Sequence, residues 1–296
     1  MLKQGIQKVL RSIGYEIRRV EPSSQENGAQ SPAPARRPPP VDPVWPLPRR
    51  PGGLSDVEIR KAFAKYDLWH YSYEFEGNLS FPARHNNSDH LADAPERPLQ
   101  RFRHFMPYLI EAANGTLRGK RILDIASNSG FWSLQCALLG ADVVGFDARP
   151  ELIEQANLIK SIVGIDNVTF KVLDFWDMSA ASLGGSFDII LNLGILYHLP
   201  TPLEALKLTK SLAREVILLD TGLYPSNDSV VQLSWEDPED IRMAVTPGIV
   251  AHPSKSALDL MLRHIGVAEA LEIPLRTTDM PGDYLDQARA SWLIKL

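Results

Sequence analysis

From residue 121 onward, short apolar runs alternate with segments of helical periodicity, and this alternation restricts the fold more than any other feature. Such alternation is typical of a parallel sheet with crossover helices. We therefore predict strands at 121–125, 142–146, 168–173, 187–193 and 215–219, with helices at 150–163 and 202–212 between them. Two further strands, near 268–275 and 290–295, predict an antiparallel strand at the sheet edge. The expected architecture is an α/β three-layer sandwich around a mostly parallel seven-stranded sheet.

Composition excludes several classes of protein. The 296 residues are 44% hydrophobic and 23% charged, which is the ordinary balance of a globular domain. A net charge of -5 gives no overall attraction to nucleic acid, so binding there would need a local basic patch. Cys136 is the single cysteine, which excludes disulfides within the chain and cysteine-based metal sites. No apolar run approaches the roughly 20 residues of a membrane-spanning helix, and we expect a cytoplasmic protein.

The N-terminal part divides into three segments before the alternating region begins. Residues 1–20 predict a short basic amphipathic helix, which packs on protein or lies peripherally on the inner face of an anionic membrane. Residues 21–53 are rich in proline and predict an extended linker. Residues 54–118 predict an N-terminal helical extension with an aromatic stretch, and residues 119–296 form the main domain.

The turn after the first predicted strand of this domain is made of small residues. The strand contains Asp124, and Ala126, Ser127, Asn128 and Gly130 follow it before a helix begins. In this arrangement, backbone amides and the helix N-terminus face a ligand at the carboxyl edge of the sheet. Pyrophosphate binding usually requires several glycines here, so a single glycine disfavours a dinucleotide.

Two more carboxylates follow at the ends of the next two predicted strands. Asp147 ends one strand, and Asp174 follows the other and precedes Phe175. With Asp124, they place three acids along one edge of the sheet, where they either meet in a common cleft or are merely solvated. The common cleft is the more specific hypothesis, because strand ends of a parallel sheet lie side by side.

These residues resemble the motifs of class I S-adenosylmethionine-dependent methyltransferases. The turn resembles motif I, from which Ala126 and Asn128 depart because glycine is usual in that turn. The resemblance implies a Rossmann-like fold and S-adenosylmethionine as cofactor. It also implies that Asp147 accepts the ribose hydroxyls, and that Asp174 and Phe175 contact the adenine. The fourth strand ends at Leu193, which the resemblance places in the wall between cofactor and acceptor.

The segment after that strand points to one branch of the superfamily. Gly194-Ile195-Leu196-Tyr197-His198 and the later Pro253-Ser254-Lys255 are similar to the branch of the tRNA wobble-uridine carboxymethyltransferases. Bacterial small-molecule and sugar methyltransferases share these features. The resemblance extends over about residues 119–275.

Candidate catalytic residues lie at the ends of the fourth and fifth strands. His198 is the predicted general base because of its location and its ordinary pKa near neutrality, the alternative being a structural histidine. Asp220 is the second candidate base, and Tyr197 is predicted to line the acceptor pocket. An insertion after the fifth strand contains Trp235, Glu236 and Asp237, which we expect on the opposite wall.

The aromatic stretch supplies the other candidate acceptor contacts. Trp69, His70, Tyr73 and Glu74 are predicted to stack on the acceptor or orient it. The alternative is that the aromatic residues fill the core while the polar ones are solvated. Metal binding is not expected. The histidines of this region, at positions 70, 85, 90 and 104, lack the close spacing of a helical metal site.

Three functions remain open at this point. The first is methyl transfer to an oxygen or nitrogen of a small-molecule acceptor, such as a saccharide or a lipid-linked intermediate. The second is tRNA wobble-uridine modification, which is less favoured because no lysine-rich stretch adjoins the aromatic segment for RNA or a carboxylated cofactor. The third is a methyltransferase-like scaffold without catalysis, suggested by the departures at Ala126 and Asn128.

Overall fold

The computed structural model describes residues 38–84, 96–237 and 243–296. The amphipathic helix predicted at 1–20, the first part of the predicted linker and the histidines at 85 and 90 lie outside these ranges. No helix in the described part of the chain is long and apolar enough to span a lipid bilayer.

The N-terminal extension combines two helices with a small hairpin. Helix α1 (Asp56–Phe63) begins at a capping box, in which Ser55 and Glu58 satisfy each other's backbone amides. Strands β1 (Tyr73–Phe75) and β2 (Leu79–Phe81) pair antiparallel, and helix α2 (Arg97–Ala112) follows. Phe63 stacks on Trp69 with ring centroids 4.3 Å apart, within an aromatic core that continues into the main domain through Phe131.

Seven strands of the main domain form one sheet within the described residues, in the order β10-β11-β7-β6-β3-β4-β5. They are β3 (Arg121–Ile125), β4 (Asp142–Asp147), β5 (Val168–Val172), β6 (Phe187–Leu193), β7 (Ala213–Gly222), β10 (Glu269–Glu272) and β11 (Arg289–Lys295). Strands β3 to β7 are mutually parallel, which confirms the mostly parallel seven-stranded sheet. The antiparallel strand, β11, lies one position in from the edge, and β10 is outermost.

Side chains of successive sheet residues enter two separate cores. Ile122 belongs to one hydrophobic cluster, and Leu123 belongs to the other. The same alternation places Ile189 and Ile190 in opposite clusters. Helices cover both faces, and the two that the sequence predicts have the expected bounds. They are α3 (Phe131–Leu138), α4 (Pro150–Val163), α5 (Ala180–Leu183), α6 (Pro202–Leu212), α7 (Lys255–His264) and α8 (Gly282–Leu285).

The insertion after β7 is a two-stranded ribbon. Strands β8 (Val231–Glu236) and β9 (Gly248–Pro253) pair antiparallel, with Trp235 opposite Ile249 and Gln232 opposite His252. These two strands were not predicted from the sequence. The ribbon packs near the end of β6, so it brings distant residues to the edge of the sheet where the parallel strands end.

The described part of the proline-rich segment is packed against the fold. Leu47 is 1% exposed, and its amide donates to the carbonyl of Glu74 over 2.8 Å. Farther on, the amide of Arg50 donates to the carbonyl of Ile162 over 2.8 Å. Residues 38–53 are therefore held against the folded domain, whereas the sequence predicted a linker without such contacts.

Candidate functional site

A cavity of about 1130 Å³ opens at the carboxyl ends of the parallel strands. Its wall combines the turn after β3, the ends of β4, β5 and β6, the β8–β9 ribbon and residues near α2 and α8. This is the edge at which open α/β sheets bind ligands, because the chain reverses its winding direction there.

The turn after β3 has the backbone of a glycine-rich loop, although Gly130 is its only glycine. Ala126 and Asn128 both have left-handed conformations, with φ of 54° and 52°. Glycine adopts such angles without strain, whereas other L-residues do so at a cost of about 1–2 kcal/mol. The Asn128 side chain compensates by accepting from the Ser129 amide over 2.7 Å. The turn therefore keeps the shape of a glycine-rich loop, although alanine and asparagine replace two of the usual glycines. Both residues line the cavity.

Three other residues predicted to bind the cofactor do not line the cavity, one of them in β3 and two in the turn itself. Asp124 is 1% exposed and accepts from Ser133 Oγ over 2.6 Å, and burial raises its pKa to about 7. Ser127 is buried, and its amide donates to the Phe146 carbonyl. A Cβ on Gly130 would lie 2.7 Å from Phe170 Cζ, so glycine is required there for packing. The prediction of direct contact is corrected for these three residues, which support the turn.

Asp147 is held at the cavity wall by two backbone amides. Its Oδ2 accepts from the Asn128 amide and its Oδ1 from the Arg149 amide, each over 3.0 Å. Burial raises its pKa, although both hydrogen bonds and the Arg149 charge oppose that change. Each oxygen keeps a further lone pair for a ligand, which suits the two hydroxyls of a ribose.

Asp174, Phe175 and Leu193 also line the cavity. Asp174 caps a short 3-10 helix (Phe175–Asp177), and its Oδ1 accepts from the Trp176 amide over 2.9 Å. The structure thus brings together Ala126, Asn128, Asp147, Asp174, Phe175 and Leu193, as the sequence predicted.

The acceptor contacts predicted in the aromatic stretch are corrected in part. His70 lines the cavity, whereas Trp69, Tyr73 and Glu74 do not. Trp69 is 1% exposed within the aromatic core. The Tyr73 hydroxyl donates to the Ser129 carbonyl over 2.7 Å, and therefore braces the turn from behind. Glu74 is exposed and accepts from Trp45 Nε1 outside the cavity.

His198 lies on the cavity wall, paired with a carboxylate from the ribbon. Its Nδ1 is 2.7 and 2.9 Å from the two oxygens of Glu236, which also lines the cavity. Burial opposes the charged imidazolium, but Tyr197 and Glu236 outweigh this effect and raise the His198 pKa. Burial likewise opposes the charged Glu236, while the bond to His198 lowers the Glu236 pKa. A paired carboxylate fixes the tautomer of a histidine and increases its basicity.

Tyr197 lines the same wall and accepts from Arg289 Nη2 over 2.7 Å. Burial favours its neutral form, but the charges of Arg289 and His198 lower its pKa to about 8. Tyr197 thus lies on the cavity wall, and its contact with an acceptor stays a prediction.

Asp220 is corrected as a candidate base. It is fully buried and does not line the cavity. Its Oδ1 accepts from Arg101 and Arg289, and its Oδ2 accepts from Tyr284 and Ser291, over 2.7–2.8 Å. Burial would raise its pKa, but the two guanidinium groups dominate and lower it to about 2. Asp220 therefore holds β7, α2 and β11 together.

Sequence reasoning missed several residues that line the cavity. Arg97, Arg101, His252 and Arg289 line the cavity, and they come from α2, β9 and β11. No local motif links these positions, although alternating polar and apolar residues over 231–236 were a strand signal. Among the predicted ribbon residues, Glu236 lines the cavity, while Trp235 is 69% exposed. No cluster of metal-binding side chains occurs within the described ranges.

Comparisons with known proteins identify a methyltransferase domain in this chain. Residues 117–224 match the family model of a methyltransferase domain. A ubiquinone biosynthesis O-methyltransferase of Xanthomonas campestris pv. campestris (strain B100) is 35% identical over 127 residues, 42% of this chain and 50% of the relative. A tRNA U34 carboxymethyltransferase of Helicobacter hepaticus is 32% identical over 134 residues, 43% of this chain and 42% of the relative. The chain spans about half the length of these relatives.

Among solved structures, the N-terminal domain of EvdMO1, in the presence of SAH and D-fucose, has a TM-score of 0.64 at 22% identity. The match covers 83% of this chain and 98% of that domain. It shows that the Rossmann-like fold is shared over nearly the whole of the described chain.

Proposed function

We propose that this chain, which carries a class I S-adenosylmethionine-dependent methyltransferase domain, transfers a methyl group to an oxygen or nitrogen of a small molecule. One observation carries the proposal. A single cavity is lined both by the carboxylates expected to hold an adenosyl group and by the His198–Glu236 pair.

The residues of the cofactor side fit S-adenosylmethionine. Asp147 offers two oxygens to the ribose hydroxyls, and Asp174 offers an acceptor to the adenine amino group. Phe175 and Leu193 supply apolar contacts, and the small Ala126 leaves room for the methionine portion. When bound, this cofactor supplies an activated methyl group beside the acceptor wall.

The residues of the acceptor side fit the removal of a proton from a hydroxyl or a protonated amine. Glu236 holds Nδ1 of His198, so Nε2 is the nitrogen available to accept a proton. In-line displacement also requires positioning and exclusion of water, which a largely buried wall favours. We assign His198 as the general base and Glu236 as the residue that positions it.

A small acceptor, such as a saccharide, is favoured over RNA. The cavity is of the size that encloses a cofactor and a small molecule, and the chain has a net charge of -5. One similar protein is named for ubiquinone biosynthesis, and the N-terminal domain of EvdMO1 has a structure determined in the presence of D-fucose. The tRNA alternative is supported by the motif at 194–198 and by one relative that matches over part of its length.

Peripheral membrane contact through residues 1–20 belongs to the same proposal, for a lipid-linked acceptor. Anionic vesicles should sediment the full chain but not a chain that lacks residues 1–20. Equal sedimentation of both chains would contradict this contact.

The proposed function is tested with methyl-labelled S-adenosylmethionine. The full chain is incubated with separate metabolite, lipid and RNA fractions, and a His198→Gln variant is the matched control. We expect label in a metabolite or lipid fraction with the wild type, and far less with the variant. Label confined to RNA would establish the tRNA alternative, and cofactor binding without transfer to any fraction would favour the scaffold.

A further inference from the structure

Two histidines flank one tyrosine on the acceptor wall. The ring centroid of Tyr197 is 4.1 Å from that of His198 and 5.3 Å from that of His252. His198 follows β6, whereas His252 belongs to β9, and both line the cavity.

The surroundings of His198 fix its tautomer. Its Nδ1 lies within 2.9 Å of both Glu236 oxygens, and a carboxylate can only accept there. Nδ1 therefore carries a proton. When the ring is neutral, Nε2 presents a lone pair.

The surroundings of His252 favour the opposite tautomer. Its Nδ1 is buried and has no hydrogen-bond partner within residues 38–84, 96–237 and 243–296. A buried N–H without an acceptor is unfavourable, so the ring proton belongs on Nε2. The charged or polar groups around this ring are Tyr197, His198, Glu236 and Arg289. Burial foremost, and then the His198 charge, lower the pKa of His252 and keep it neutral.

We propose that His252 presents an Nε2–H donor to the cavity and binds a second oxygen of the acceptor, next to the oxygen that is methylated. The inference rests on the proposed function and narrows its substrate class. The acceptor then carries oxygens on two adjacent carbons, as in a vicinal diol or a catechol. One His accepts a proton, and the other donates a hydrogen bond.

The use of two different oxygens follows from the chemistry of transfer. The reacting hydroxyl gives its proton to His198 Nε2, and its oxygen forms the bond to the methyl carbon. The carbon–sulfur bond breaks, and its electron pair stays on sulfur. A donor bound to the reacting oxygen would occupy a lone pair and weaken the nucleophile, whereas a donor bound to the neighbouring oxygen orients the acceptor.

The tautomers are tested by nitrogen-15 NMR of the full chain labelled at histidine. His198→Gln and His252→Gln variants assign the two rings. We expect a neutral, Nε2-protonated His252 at pH 7 and an Nδ1-protonated His198. A His252 ring that is doubly protonated, or protonated at Nδ1, overturns the proposal.

Ligand preference is tested by calorimetry in the presence of S-adenosylhomocysteine. Catechol is compared with phenol, and cis-1,2-cyclohexanediol with cyclohexanol, so that the two pairs distinguish aromatic from saturated acceptors. We expect one diol to bind at least about tenfold more tightly than its single-hydroxyl partner. His252→Gln, which retains a donor, should keep this preference, and His252→Phe should lose it.

Equal binding within both pairs, including no binding at all, contradicts the inference. A diol preference that His252→Phe leaves unchanged also contradicts it. If the tautomers and the preference are as expected but no methyl transfer occurs with any fraction, the proposed function fails and the binding inference stands.

Discussion

The proposed cofactor side and the proposed acceptor side of the cavity are constructed differently. Residues of the cofactor side, such as Asn128, Asp147 and Asp174, lie at or just after the ends of successive parallel strands. Residues of the acceptor side come from elements that are far apart in the chain, such as Glu236 in β8 of the ribbon and Arg289 in β11. The order of the parallel strands brings the residues of the cofactor side together. The residues of the acceptor side are held by hydrogen bonds between elements that are distant in the chain.

The largest effect is expected from a substitution that breaks the hydrogen-bond network around Asp220, which holds the acceptor side together. Asp220→Ala leaves Arg101 and Arg289 without their shared carboxylate in a buried site, and we expect a loss of about 3–5 kcal/mol of unfolding free energy. Glu269→Ala, which breaks an exposed pair with Lys295, is the control and should cost less than about 1 kcal/mol. Denaturant unfolding measures both, and equal losses would contradict the assigned role of Asp220.

The same network has a predicted pH dependence. The Asp220 pKa is about 2 in the fold and 3.8 ordinarily, so its stabilisation is present above pH 3.8. It is lost as the pH falls toward 2. The difference in the free energy of unfolding between the wild type and Asp220→Ala should therefore decrease as the pH falls from 3.8 toward 2.

The second prediction concerns the proposed base. His198→Gln should lower kcat about 100-fold or more, while the Kd of S-adenosylmethionine changes little. Because the neutral imidazole is the active form and its pKa is raised, the wild-type rate should rise with pH through a value above 6.5. Glu236→Gln should move that rise to lower pH. An unchanged profile, or equal losses in kcat and cofactor affinity for His198→Gln, would mean a structural role.

The third prediction sharpens the assignment of the adenine contact. Asp174→Ala should weaken S-adenosylmethionine binding about tenfold, since it removes one hydrogen bond to a charged acceptor. Asp177→Ala provides a matched control. Asp177 lies in the short 3-10 helix that Asp174 caps, is exposed and does not line the cavity. Calorimetry should separate the two variants, and similar affinities would place the adenine elsewhere.

The smallest effect is expected at Glu74. Glu74→Gln should change kcat/KM for the acceptor by less than about twofold, because the side chain is exposed outside the cavity and its bond to Trp45 is a surface contact. Steady-state kinetics with the acceptor found by labelling measure this. A tenfold loss would restore the aromatic stretch as an acceptor-binding element.

The parts of the fold that the sequence predicted depend on local periodicity. The helices at 150–163 and 202–212 have the expected bounds because proline begins each of them and the apolar residues keep helical spacing. The main sheet follows from the alternation of strands and helices. Asp147 and Asp174 could be predicted as cavity residues because the ends of parallel strands share one edge.

The errors arise where burial decides the outcome. Aromatic residues at 69, 71, 73 and 75 alternate at strand spacing, and all four are buried while Glu74 is exposed. This alternation was a signal for a core face. Asp220 resembles a catalytic acid in sequence, but its two arginine partners are at least 69 residues away, and no local pattern reveals them.

Titration calorimetry of S-adenosylmethionine into the full chain tests the central claim most directly, that the carboxylates at the strand ends hold an adenosyl group. The wild type should bind at one site, and Asp147→Ala should weaken binding about 100-fold, because it removes charge-assisted bonds to two ribose hydroxyls. Absence of binding by the wild type, or equal affinity in a folded Asp147→Ala variant, would contradict it.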